Sequence, residues 1–103
     1  MSYSILRTDN ADEDINGIIN YIAEDNQSID IALKYLDRLE SAIMQLADFP
    51  DIGCIPRYRT LRLQKYRVLI IEKHLVFYKI FQESNEIIIY RVIDGRQDYK
   101  NLI

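Results

Sequence analysis

The spacing of apolar residues changes once along this chain, near Pro50 and Gly53, and that change restricts the folds open to it. Before the switch, Ile15, Ile18, Ile19 and Ile22 form one stripe, and Ala32, Leu36, Leu39, Ile43 and Leu46 recur at intervals of 4, 3, 4 and 3. Both sets line one face of an α-helix. After the switch come β-rich runs: Tyr66 to Ile71, Leu75 to Phe81 and Ile87 to Ile93. These are separated by turns at Glu72-Lys73-His74 and Glu83 to Glu86. Helices first and strands afterwards imply an α+β domain.

The boundaries follow from local chemistry. Tyr3 to Arg7 is a short strand candidate. Thr8 or Asp9 caps a first helix over about residues 10 to 24, with Asp12, Glu13 and Asp14 at the positive end of its dipole. Ser28 caps the second helix, and the short connection makes the pair an antiparallel hairpin. Pro50 and Gly53 stop that helix. Leu61 and Leu63 alternate with Arg62 and Gln64, which reads as the lead into a three- or four-stranded antiparallel meander packed on the hairpin. The tail from Gly95 to Ile103 opens with a turn. A chain of 103 residues, 49% hydrophobic, is expected to be one domain covering residues 1–103 with a modest core.

Charge is divided between the two halves. Residues 9–51 hold eleven acidic residues against Lys34 and Arg38, and residues 52–103 hold ten basic residues against five acidic ones. The densest basic stretch is Arg57 to Arg67, with Arg57, Arg59, Arg62, Lys65 and Arg67 and no acid; Arg91 and Arg96 follow later. A single-signed run interleaved with Tyr58, Leu61, Leu63 and Tyr66 favours a polyanionic partner over a merely solvated strand face.

Other chemistries find little support. One histidine and one cysteine, His74 and Cys54, make neither a metal cluster nor a nucleophilic triad, and no glycine-rich phosphate loop occurs, so no metal and no cofactor are expected. His74, at a turn, is expected on the surface, and Cys54 is expected half-buried in a loop. A single cysteine excludes an internal disulfide and fits a reducing, cytoplasmic setting. Met1 to Asn10 lacks the apolar core of a signal peptide, and no run approaches the roughly 20 residues of a membrane span. Arg, Lys and Tyr remain. They suit RNA cleavage by its own 2′-hydroxyl, in which protein groups orient the phosphate and neutralise the transition state. They supply phosphate binding better than proton transfer, because Arg and Tyr titrate far above neutrality. Tyr58, Tyr66, Tyr78, Tyr90 and Tyr99 could stack on bases. Four of them read as strand packing; Tyr99 lies outside the strands, beside Arg96.

The ordered set Leu46-Ala47-Asp48-Phe49-Pro50-Asp51-Ile52-Gly53, Arg62-Leu63, Lys65-Tyr66-Arg67-Val68-Leu69, Leu75 to Ile80 and Ile89 to Tyr99 (IYRVIDGRQDY) resembles the RelE/ParE superfamily of bacterial type II toxins. The resemblance covers essentially the whole chain. It implies a helical hairpin on an antiparallel sheet, a basic concave sheet face, and a cognate antitoxin whose acidic segment covers that face. RelE-like members cut mRNA in the ribosomal A site, whereas ParE-like members poison DNA gyrase. For ribosome-dependent mRNA cleavage the resemblance implies catalytic roles for Arg62, Arg67, Arg96 and Tyr99. Arg57, Arg59, Lys65 and Arg91 would then contact nucleic acid. The alternatives are a gyrase inhibitor acting by binding, and a degenerate module that only binds antitoxin.

Overall fold

The structure is a computed structural model that describes residues 2–97 and 99. Strand β1 spans Ser4–Arg7, followed by α1 (Asp9–Asn26) and α2 (Ile29–Met44). Two single-turn 3-10 segments, Gln45–Ala47 and Pro50–Ile52, lead to the short helix α3 (Arg59–Leu63). Strands β2 (Arg67–Ile71), β3 (His74–Phe81) and β4 (Glu86–Asp94) complete the fold. The sheet order is β1-β4-β3-β2, with β1 parallel to β4 and the other pairs antiparallel.

Both helix starts are capped as the sequence implies. Thr8 Oγ1 accepts from the Ala11 amide at 3.1 Å and donates to the Tyr90 carbonyl at 2.9 Å, pinning the start of α1 to β4. Ser28 Oγ accepts from the Ile31 amide at 3.3 Å. Gln27, in a left-handed conformation at φ 49°, closes α1 after Asn26. The hairpin lies on one face of the sheet. Ile15, Leu39, Ile43 and Leu46 are buried there against Val76, Tyr78, Ile87, Ile89 and Val92, with Ile18, Ile19, Ile22 and Leu36 packed half-buried around them.

The opposite face carries a smaller cluster of Leu61, Tyr66, Val68, Phe77 and Ile93 under α3. Here the structure corrects the alternating reading of Leu61 to Gln64, which forms α3 instead of the lead into a strand. Leu61 is buried and Leu63 exposed, so the pair does not share a pleated face. Lys65, at φ 71°, ends the helix and turns the chain into β2. His74 departs from expectation too. It opens β3 and is only 4% exposed, because the Tyr35 side chain from α2 reaches under it and places its hydroxyl 2.6 Å from Nδ1. Cys54, expected half-buried, is exposed; its backbone pairs with Val68 through bonds of 2.7 and 2.9 Å.

Candidate functional site

The basic segment is folded around its own carbonyls. An Arg62 guanidinium nitrogen donates to the carbonyls of Pro56 and Arg57, closing the loop ahead of α3. Arg67, at the start of β2, donates to the carbonyls of Asp51 at 3.0 Å and Gly53 at 2.7 Å. Beneath it, the buried Tyr78 hydroxyl donates to the Pro50 carbonyl at 2.7 Å and accepts from the Gly53 amide at 3.1 Å. Only glycine fits there: a Cβ at position 53 would crowd the Tyr78 hydroxyl and lie 2.8 Å from the Val68 carbonyl oxygen. Loop 50–54 is thus clamped to β2. Arg67 Nε is buried without a partner among the described residues.

This clamp shapes a pocket of about 370 Å³ lined by Ile55, Arg62, Lys65, Tyr66, Arg67 and Ile80. Three of the sequence candidates meet in it, and exposed Arg57 and Arg59 lie on the same basic segment, with Arg57 5.5 Å above the Tyr58 ring. Three cations within one cavity raise the local potential and favour an anionic group of a partner.

Beside the pocket, the open sheet face is an aromatic floor. Tyr66 meets Tyr90 and Phe77 edge-on, at 5.4 and 6.4 Å between ring centroids. Tyr99 folds back to pack against Phe77 and Tyr58, each at 5.2 Å. Lys79 Nζ stands 4.4 Å above Tyr66 and 5.2 Å above Tyr90. Burial, with Tyr90 nearby, pushes the Tyr66 hydroxyl pKa up, away from neutrality. These rings pack on one another and under a lysine, so they form a floor more than a row of free stacking faces. Lys79 was not among the sequence candidates. Its signal was a cation at the same strand parity as Leu75 and Phe77, in a run otherwise apolar.

Arg91 and Arg96 lie apart from the pocket. In the β3–β4 ladder Phe77 pairs with Arg91 but Tyr78 with Ile89, which leaves Tyr90 as an extra residue and re-aims Arg91. Its guanidinium grips Asp14 of α1 at 2.7 and 3.0 Å, and Asp14 also accepts from the Val92 amide at 2.9 Å. Arg96 folds onto Asp94 through bonds of 3.1 and 2.9 Å, holding that carboxyl well below the usual range. It lines a wedge of about 760 Å³ between α1 and the sheet end, together with Tyr21, Lys73, His74 and Gln97. Because Asp94 pairs with His74 while Arg67 pairs with Tyr78, the two sites lie at different levels along β3. Among the described residues no helix is long and apolar enough to cross a membrane.

Comparison with known proteins agrees with this architecture. The chain superposes on a solved structure of the chromosomal ParDE toxin–antitoxin system of P. aeruginosa with a TM-score of 0.73, at 18% identity, covering 90% of this chain and 96% of the other. A structure of the RelBE2 toxin–antitoxin complex of Mycobacterium tuberculosis gives 0.62 at 18% identity, covering 91% and 92%. At such identity these likenesses establish the fold. A comparison with curated protein sequences finds no significant match. The sequence does match the family model of the ParE toxin of the parDE type II toxin–antitoxin system over residues 5–99, and the chain therefore belongs to that toxin family.

Proposed function

We propose that this toxin arrests growth by binding DNA gyrase, and that a co-encoded antitoxin holds it inactive. The supporting observation is the separation of the basic groups. Arg62, Lys65 and Arg67 share one pocket, whereas Arg96 is paired with Asp94 in another, so the phosphate-holding set implied for mRNA cleavage is split. Two of the pocket's cations also serve backbone carbonyls. Tyr66 in the same pocket is moved away from neutrality, which suits contact better than proton transfer. In this reading Arg57, Arg59, Lys65 and Lys79 bind, and no bond of the target is made or broken. The antitoxin partner follows from family membership and from structural neighbours solved as toxin–antitoxin systems.

Ribosome-dependent mRNA cleavage is the second reading, and one observation favours it. Arg62, Lys65 and Arg67 converge beside Tyr66 as a phosphate cradle would, with Tyr99 on the adjoining floor. Expression in a host lacking the antitoxin separates the two. Intact mRNA by primer extension, with relaxed or cleaved plasmid DNA, is expected for gyrase binding. In that case Arg96→Ala stays toxic, while Lys65→Glu with Lys79→Glu abolishes arrest. Codon-positioned mRNA cuts that disappear in Arg96→Ala would instead assign the nuclease.

A further inference from the structure

Helix α2 has a second patterned face. Ile29, Leu33, Asp37, Glu40 and Met44 recur at intervals of 4, 4, 3 and 4, which places them along one side of the helix, with Asp30 beside them. Tyr35, Leu39 and Ile43 are buried on the side that packs on the sheet. On the outer stripe Ile29, Leu33 and Met44 are 68%, 47% and 60% exposed, and none of them belongs to either core cluster. Lys34 and Arg38 lie further round the helix, and Arg38 pairs with Glu72 at 3.0 Å. Arg7 of β1 reaches Glu40 at 3.4 Å, while Asp30 and Asp37 remain as exposed carboxylates with no ion pair among the described residues. Apolar groups interleaved with carboxylates and kept in water mark a contact surface.

The complement of that stripe lies on the same chain. Ile55 lines the pocket of Arg62, Lys65 and Arg67; Phe49 and Ile52 stand exposed on the same loop, and exposed Arg57 and Arg59 follow it. One surface sets carboxylates among apolar groups, and the other sets cations among apolar groups, so the two match in charge and in hydrophobicity. A nucleic acid or an acidic protein would be repelled by the stripe. Within one chain the two surfaces cannot meet, because α2 is fixed through its buried side and the loop is fixed to β2 by Arg67 and Tyr78. Between two copies they can.

We propose that the free chain associates with itself, the outer stripe of α2 in one copy lying on the basic loop and pocket of another. The mode is that of an amphipathic helix laid against an apolar, oppositely charged surface. Ile29 and Leu33 meet the loop's apolar side chains, and Asp30 and Asp37 face its cations. One helix face gives a contact at the small end of specific interfaces, so the dissociation constant is expected on the order of tens of micromolar. While the contact holds, the pocket of Arg62, Lys65 and Arg67 is covered. The contact requires that pocket but no particular target, and it stands apart from the gyrase reading.

Sedimentation equilibrium of the full-length chain, purified free of antitoxin, tests this at about 100 μM protein in about 50 mM and about 500 mM salt. At low salt the wild type should show a weight-average mass well above the 12.2 kDa monomer, falling toward it at high salt. The variant Leu33→Ser with Asp37→Lys changes two exposed positions and should associate at least about tenfold more weakly; if it melts early, Asp37→Lys alone is used. Arg59→Glu, on the opposing surface, should be equally weak. Mixing Asp37→Lys with Arg59→Glu should restore association, because each supplies the half that the other lacks. A monomeric wild type at low salt would overturn the proposal, as would association that ignores salt or the Asp37→Lys change. Failure of the mixture to associate would show that the loop is not the stripe's partner. A monomeric wild type whose Asp37→Lys variant loses affinity for purified antitoxin would give the stripe to the antitoxin instead.

Discussion

His74 shows how far one residue's setting can depart from its neighbours in sequence. Burial pushes its imidazole below the usual histidine range, against the pull of Asp94 and Glu72, while Lys73 and Arg96 add to the lowering. Tyr35, which bonds it, is pushed up to about 12, mainly by its own burial. Above the ordinary histidine value of about 6.5, neither the folded nor the unfolded chain carries the extra proton, and stability is indifferent to this group. As the pH falls below that value, the unfolded chain takes up a proton that the folded chain resists. Stability is therefore lost on acidification. Urea midpoints measured between about pH 7 and about pH 5.5 should fall in wild type and stay flatter in His74→Gln. Tyr78 offers a second test. Tyr78→Phe strips a partner from the Gly53 amide and the Pro50 carbonyl, at an expected loss of about 1–3 kcal/mol in urea denaturation. A loss below about 0.5 kcal/mol would mean that the loop is not clamped by that hydroxyl.

The long elements were legible because each repeats its message. Four isoleucines on α1 and the seam on α2 name one face many times over, so no single position has to carry the inference. Leu39 sits in the middle of that seam with no exposed surface. Leu39→Ala should cost about 2–5 kcal/mol, whereas Leu33→Ala, on the outer side of the same helix, should cost under about 0.5 kcal/mol. Similar losses at both positions would mean the hairpin does not pack as described. Short elements gave weaker signals. Five residues from Arg59 to Leu63 are too few for a helical period, and Leu61 and Leu63 mimic strand alternation. What decides the matter is tertiary: Leu61 has the second cluster to enter, and Arg62 has two carbonyls within reach. His74 was misplaced for the same reason, since the tyrosine that buries it lies 39 residues earlier.

At the level of the molecule, the sequence reported the amount of charge in each half and not its geometry. Arg57 to Arg67 does form one basic neighbourhood. Arg91 is drawn to Asp14 by an extra residue in β4 that the alternation of that strand conceals, and Arg96 turns onto Asp94. Lys79 enters the site from a strand whose composition looks wholly structural.

The sheet order has a consequence for synthesis. β4 is the last strand to be made, yet it lies between β1 and β3. Ser4 pairs with Glu86, so β1 has no strand partner until β4 has been made. The opposite face waits as well, because Tyr90 and Ile93 help to build the floor. A chain cut short ahead of β4 therefore lacks an inner strand of the sheet and two residues of the aromatic floor. The sheet and that floor are completed together, when β4 enters between β1 and β3.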